Sequence, residues 1–172
     1  MPIIRSFLPW LIFFVLSSFN HAWIGAFAAV ICYIIVYGKK VTHLKVLDRF
    51  STVFFLVSAF IMLFLSPIRY VKNLEYFSNG FLALFILYTI LIQKPFTIEY
   101  AKESTPASKW NSAEFYKINN TISLAWFLYF SLCMPIVLLS REVSPLFRVG
   151  QGVMALVAVC ITEYYPKWYL KK

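Results

Sequence analysis

Six apolar segments, separated by short polar ones, take up most of this sequence. Charged residues make up only 13% of the chain, whereas soluble domains contain about a quarter. A soluble fold of this length cannot bury so much apolar surface, so lipid surrounds most side chains, and a backbone in lipid must form helices or a closed barrel. We predict an all-α, polytopic membrane protein with residues 1–172 in a single transmembrane domain. The segments are residues 3–19, 22–37, 50–65, 77–92, 121–139 and 149–164.

Several of these segments are short for a membrane span. A helix of about 17 residues covers about 25 Å, and the hydrocarbon core is about 30 Å thick. Only Asn20 and His21 separate the first two segments. We therefore expect about six hydrophobic helices, of which the first two form either a tight transmembrane hairpin or a re-entrant pair.

The distribution of basic residues predicts the orientation. If all six segments cross, four of the sixteen basic residues lie on one side, and the other twelve lie on the side of both termini. Loops rich in Lys and Arg stay in the cytoplasm. Both termini and residues 93–120 are therefore predicted to be cytoplasmic. The four basic residues on the far side are Arg69, Lys72, Arg141 and Arg148.

Residues 93–120 form the one long polar interval of the chain. Residues 96–103 fit two helical turns with Phe96, Ile98 or Tyr100 facing lipid, and residues 104–107 break that helix. A second helix, capped by Ser108 or by Asn111 and Ser112, follows. We predict an amphipathic cytoplasmic elbow that lies on the membrane surface.

The elbow is the predicted contact surface for other proteins, because it combines charged and aromatic residues outside lipid. In the second helix, Trp110, Phe115 and Tyr116 are expected along the membrane interface before residues 119 and 120 lead into the fifth segment. The predicted interaction residues are Lys94, Pro95, Glu99, Tyr100, Trp110, Lys117 and Trp126.

Four residues near or within the last two segments suggest either helix packing or transport. Pro135 frees the carbonyl of Ser131 and favours a kink. Gly150 and Gly152 favour close helix contact, and Glu163 is an ionisable group near the end of the sixth segment. The same features occur in small transporters, so transport of a solute, ion or lipid is the alternative to a packing role.

Metal, cofactor and catalytic roles find no support in the pattern of polar residues. The two histidines, His21 and His43, are predicted at opposite membrane faces, and the three cysteines lie in separate apolar segments. No base is spaced to activate a nucleophile. The basic residues are scattered between apolar segments, unlike those of a nucleic-acid-binding face. We predict no metal, no cofactor, no enzyme activity and no nucleic-acid partner.

Several short motifs occur in the order typical of one bacterial family. They are Phe7-Leu8-Pro9 followed by Phe13-Phe14, Lys94-Pro95 after the fourth segment, and Leu124-Ala125-Trp126 with Phe130, Leu132 and Cys133 in the fifth. With the spacing of the apolar segments, the chain resembles the intracellular septation protein A family, also called inner-membrane-spanning protein YciB. It departs from the family in its short Asn20-His21 turn and in the long stretch of residues 99–114, as a divergent member would.

The resemblance implies a bacterial inner-membrane protein involved in septation and in maintenance of the cell envelope. Such a protein is expected to act non-catalytically, through other inner-membrane, divisome or envelope proteins, with a homo-oligomer also expected. No catalytic or binding residue is carried over from the family.

Overall fold

The computed structural model describes residues 2–18, 22–37, 44–64, 68–142 and 146–170. Throughout these ranges the regular structure is helical and contains no strand, which confirms the all-α prediction. Each of the six apolar segments coincides with one long helix. The helices are α1 (Pro2–Ser18), α2 (Ala22–Tyr37), α3 (Val46–Phe64), α4 (Ile68–Leu91), α5 (Ile98–Ala101), α6 (Ala113–Glu142) and α7 (Leu146–Tyr169).

Two stretches of the described residues are long and apolar enough to cross a membrane. They are Asn73–Leu91 in α4 and Ala113–Val137 in α6. Their length and composition support a membrane protein with transmembrane helices.

Some residues used in the sequence predictions lie outside the described residues. They are the Asn20-His21 turn, the second histidine and several basic residues: Asn20, His21, Lys39, Lys40, His43, Lys171 and Lys172.

The contacts of the chain divide it into two units, residues 1–75 and 76–172. In the first unit, α1 and α2 pack antiparallel. The hydroxyl of Tyr33 in α2 donates to the carbonyl of Ser6 in α1, at 3.4 Å. Gly25, in the first turn of α2, lies directly against the backbone of Phe13 in α1. A side chain at Gly25 would separate the two helices.

A tryptophan holds α3 to this pair. The indole Nε1 of Trp10 donates to Ser51 Oγ at 2.7 Å, and both residues are buried. The Trp10 ring lies 4.6 Å from Phe55 and 5.2 Å from Phe54, centroid to centroid. Aromatic pairs at such distances add about 0.5–1.5 kcal/mol each beyond the area that they bury. The hydrogen bond fixes the position of Trp10 relative to Ser51, which apolar contacts alone do not.

In the second unit, α6 and α7 form an antiparallel pair. The indole Nε1 of Trp126 donates to Thr162 Oγ1 at 3.0 Å, and the Thr162 hydroxyl donates to the carbonyl of Ala158 at 2.8 Å. Nearer the predicted cytoplasmic end, the Lys117 ammonium lies 5.7 Å from the centre of the Tyr169 ring. These contacts place the start of α6 beside the end of α7.

The glycines of α7 have no packing role within the described chain. A Cβ added at Gly150 or Gly152 would meet no atom within 4 Å. Both positions are exposed. The close helix contact expected there does not occur within the described residues, and an interface with a second copy stays a prediction. The kink at Pro135 also stays a prediction, in a helix α6 that continues through it to Glu142.

Gly25 and Gly152 make a matched pair for testing the packing of α1 and α2. A Cβ at Gly25 would lie 2.9 Å from the carbonyl oxygen of Phe13, so the backbone must shift. We expect G25A to destabilise the protein by about 1–3 kcal/mol, as overpacked sites do. The G152A variant adds the same methyl group in open space and is expected to have little effect. Thermal unfolding of the purified protein in detergent measures both, and equal losses would contradict the packing described.

Candidate functional site

The polar interval begins with a sharp turn at the end of α4. Gln93 has a φ of 56°, which is unusual for a residue with a side chain. The amide of Gln93 donates to the carbonyl of Ile90 at 3.0 Å, and that of Lys94 donates to the carbonyl of Thr89 at 2.9 Å. These bonds satisfy carbonyls that the helix end leaves open. The chain therefore leaves α4 in a defined direction.

Thr97 attaches the interval to α6. Its Oγ1 lies 2.9 Å from the carbonyl oxygen of Asn119 and 3.0 Å from Ser123 Oγ. The Thr97 hydroxyl has one hydrogen, which it donates to the Asn119 carbonyl, so Ser123 donates to Thr97. All three residues are buried. Buried polar groups are costly unless they are hydrogen-bonded, and here both hydroxyl hydrogens have an acceptor: Thr97 Oγ1 for Ser123 and the Asn119 carbonyl for Thr97.

Aromatic residues on either side of Thr97 are buried with it. Phe96 is fully buried and Tyr100 is 3% exposed. The Phe96 ring lies 6.2 Å from that of Phe85 in α4 and 6.4 Å from that of Tyr100. Of the three residues predicted to face lipid, Phe96 and Tyr100 therefore do not, and only Ile98 is half-buried. Phe96 and Tyr100 pack into the protein because the hydrogen bonds of Thr97 hold this side of the segment against α6.

The helical content of the interval is lower than predicted. The first helix is only α5, four residues long, and the next element is a single 3-10 turn, Ala107–Lys109. The second interfacial helix does not exist separately, because α6 begins at Ala113 and runs directly into the fifth apolar segment. Ser112 Oγ accepts the amide of Phe115 at 3.1 Å, which confirms Ser112 as the cap.

Three of the predicted interaction residues in the interval, Lys94, Glu99 and Trp110, are exposed. Lys102, which was not predicted, is exposed as well, and we call these four residues the docking face. The Lys102 ammonium lies 5.1 Å from the centre of the Trp110 ring. The Trp110 indole donates to the carbonyl of Thr105 at 2.9 Å. Trp110 is 38% exposed. These contacts order the face although it is open to solvent.

The remaining predicted interaction residues lie elsewhere. Pro95 and Tyr100 are buried beneath the docking face and support it. Trp126 is buried between α6 and α7, where it donates to Thr162. Lys117 is exposed, over the Tyr169 ring. The predicted interaction residues therefore do not form one surface. Some are exposed in the docking face, Pro95 and Tyr100 are buried, Trp126 joins α6 to α7, and Lys117 lies beside the end of α7.

Glu163 is paired within its own helix. Its Oε1 accepts a hydrogen bond from the Lys167 ammonium, one turn further along α7. The hydrogen bond to Glu163, reinforced by the charge of that carboxylate, raises the pKa of Lys167. The role of Glu163 in packing or transport stays a prediction.

Two buried carboxylates were missed in the sequence. Asp48 is 1% exposed and Glu75 is 3% exposed, although both lie in stretches predicted to be polar connections. Helical spacing was the available signal for Asp48, because Ser51, Phe55 and Ser58 follow it on the same buried face of α3. Burial of a charged side chain is costly, so both positions are candidates for function.

Among the described residues, no group of three His, Cys, Asp or Glu side chains is arranged to hold a metal ion. The cysteines are free thiols, with Cys32 and Cys133 buried and Cys160 exposed. The chain matches no protein-family model, no curated protein and no solved structure.

Replacing Thr97 by Val tests whether its hydroxyl holds the interval. Valine keeps the shape but leaves the Asn119 carbonyl and the Ser123 hydroxyl without this partner. The change removes two hydrogen bonds of about 1 kcal/mol each, and about 2 kcal/mol corresponds to roughly a thirtyfold rise in opening of the segment. Hydrogen exchange of residues 94–112 in detergent measures that opening. The same change at Thr105, whose side chain is half-exposed, should leave exchange unchanged, and equal effects would refute the role of Thr97.

Proposed function

We propose that this chain is a multi-pass membrane protein that acts non-catalytically by docking other membrane proteins on the face formed by Lys94, Glu99, Lys102 and Trp110. The observation that carries the proposal is that exposed residues of the docking face belong to a segment whose other side is buried and hydrogen-bonded to α6. Thr97 is hydrogen-bonded to α6, and Phe96 is fully buried. Such support keeps the exposed residues in place before a partner binds.

The support matters because ordering a loop on binding costs free energy. Each immobilised long side chain costs about 0.5–1.5 kcal/mol on association. Lys102 and Trp110 already hold each other in the free protein, so less of that cost remains. Tryptophan is also among the residues that contribute most to protein interfaces. The positive and negative charges of the face favour a partner of complementary charge pattern.

The membrane setting and cellular role complete the proposal. All six long helices cross a bacterial inner membrane, both termini and the docking face are cytoplasmic, and the protein forms homo-oligomers. The excess of basic residues on the side of residues 93–120 supports this orientation. The resemblance to the septation protein A family supports partners in septation or envelope maintenance.

Site-specific photo-crosslinking in intact cells tests the docking face. A photoreactive residue in place of Ser108, which is exposed beside Trp110, should crosslink to a membrane protein of defined mass. The W110A variant should remove that product, and W110F, which keeps a ring over Lys102, should retain part of it. Membrane insertion and yield should not change.

A photoreactive residue in place of Leu128 provides the control, because Leu128 is exposed in the apolar middle of α6. It should yield no such product. A crosslink from Ser108 that survives W110A, or one that Leu128 gives equally, would show that the face does not carry the interaction. Labelling of an S108C variant by a membrane-impermeant thiol reagent outside intact cells would overturn the cytoplasmic placement.

Transport is the second candidate, and Glu75 is the observation that favours it. This carboxylate is buried and lies inside Asn73–Leu91, one of the two candidate spans. An ionisable residue at such a position is expensive and typical of proton and ion pathways. Glu163, by contrast, is paired with Lys167.

Proton uptake into vesicles separates transport from docking. Purified protein in vesicles with an internal pH dye should take up protons under a potassium diffusion potential if the chain carries them. The E75Q variant should abolish uptake, and E99Q on the exposed docking face should not. Uptake no faster than in protein-free vesicles would exclude a proton pathway and leave the docking proposal intact.

A further inference from the structure

One exposed lysine outside the docking face is held against an aromatic cluster at the junction of α6 and α7. The Lys117 ammonium lies 5.7 Å from the centre of the Tyr169 ring. Tyr169 in turn lies 5.8 Å from Tyr165, whose ring is 6.0 Å from that of Trp168. We call these four residues the lysine–aromatic patch. Both helices contribute to it, so the patch is part of the packed helix pair.

The position of Lys117 along α6 matches the edge of the hydrocarbon. Residues 118–140 carry no charge, and this stretch spans about 34 Å at about 1.5 Å per residue, enough to cross the hydrocarbon core of about 30 Å. Lys117 is the residue immediately before them. With α6 across the membrane, its ammonium lies at the level of the lipid phosphates, where Trp and Tyr rings also concentrate.

The charge of Lys117 is available to an external anion. The described contact of the Lys117 ammonium is with the Tyr169 ring, which carries no charge. The side chain is exposed although the Tyr169 ring covers one side of it. Lys167, on the same end of α7, differs because it is paired with Glu163. A positive group held by a ring on one side presents its remaining donors outward.

We propose that the lysine–aromatic patch binds the headgroup phosphate of an anionic phospholipid. The Lys117 ammonium donates to the phosphate, Trp168 and Tyr165 lie beside the glycerol and upper acyl chains, and the Tyr169 ring fixes the lysine. Complementary charge at the depth of the phosphate and the amphipathic rings at the same depth identify the partner as a lipid. The proposal assigns Lys117 to lipid, beyond the protein docking proposed above.

Native mass spectrometry of the full chain, released from nanodiscs of equal parts phosphatidylcholine and phosphatidylglycerol, tests this assignment. The unmodified protein should retain phosphatidylglycerol in preference to phosphatidylcholine. The K117Q variant should bind phosphatidylglycerol roughly fivefold more weakly, as expected for one lysine near an anionic surface. The K117R variant keeps the charge and the ring contact and should retain the lipid.

Lys109 provides the matched control, because it is an exposed lysine in the 3-10 turn with the same formal charge. The K109Q variant should retain phosphatidylglycerol like the unmodified protein. Equal losses in K109Q and K117Q would show diffuse attraction to anionic lipid, and no loss in K117Q would show that the patch does not bind it. Either result overturns the proposal. The crosslink from Ser108 is independent of both variants, so the two proposals can fail separately.

Discussion

The hydroxyl of Thr97 is the contact on which the arrangement of the polar interval depends. It connects a segment with little regular structure to two positions of α6, Asn119 and Ser123. With that contact in place, Phe96 and Tyr100 are buried in protein, and the opposite side of the segment becomes a surface of fixed shape. A short irregular segment gains its order here from a buried hydrogen bond, because α5 is too short to supply it.

A hydrogen bond to a hydroxyl group also joins two helices in each unit of the chain. Trp10 donates to Ser51 between α1 and α3, and Trp126 donates to Thr162 between α6 and α7. Apolar contacts are non-directional, so they do not fix which positions of two helices meet. An indole that must find an acceptor fixes one such position. The hydroxyl partners are small, so the helices still approach closely.

The helices were predictable, and the polar interval was predictable only in part. Each apolar segment became a helix, as expected where few side chains can replace the hydrogen bonds of the backbone. Residue type placed Ser112 among three candidate caps, and the hydrogen bond from Phe115 selected it. The burial of Tyr100 did not, since helical spacing shows that a ring leaves water but not whether lipid or α6 receives it. Asp48 was missed for a related reason, because a charge near a segment end is usually exposed.

The amino-acid sequence determined on its own the all-α class and the places where helices form, because hydropathy and backbone hydrogen bonding are local properties. It also showed that residues 93–120 are the main polar part of the chain. Only the tertiary structure decided which of those residues support the segment and which face outward. That division depends on Thr97 reaching a carbonyl 22 residues away, a contact that no local pattern specifies.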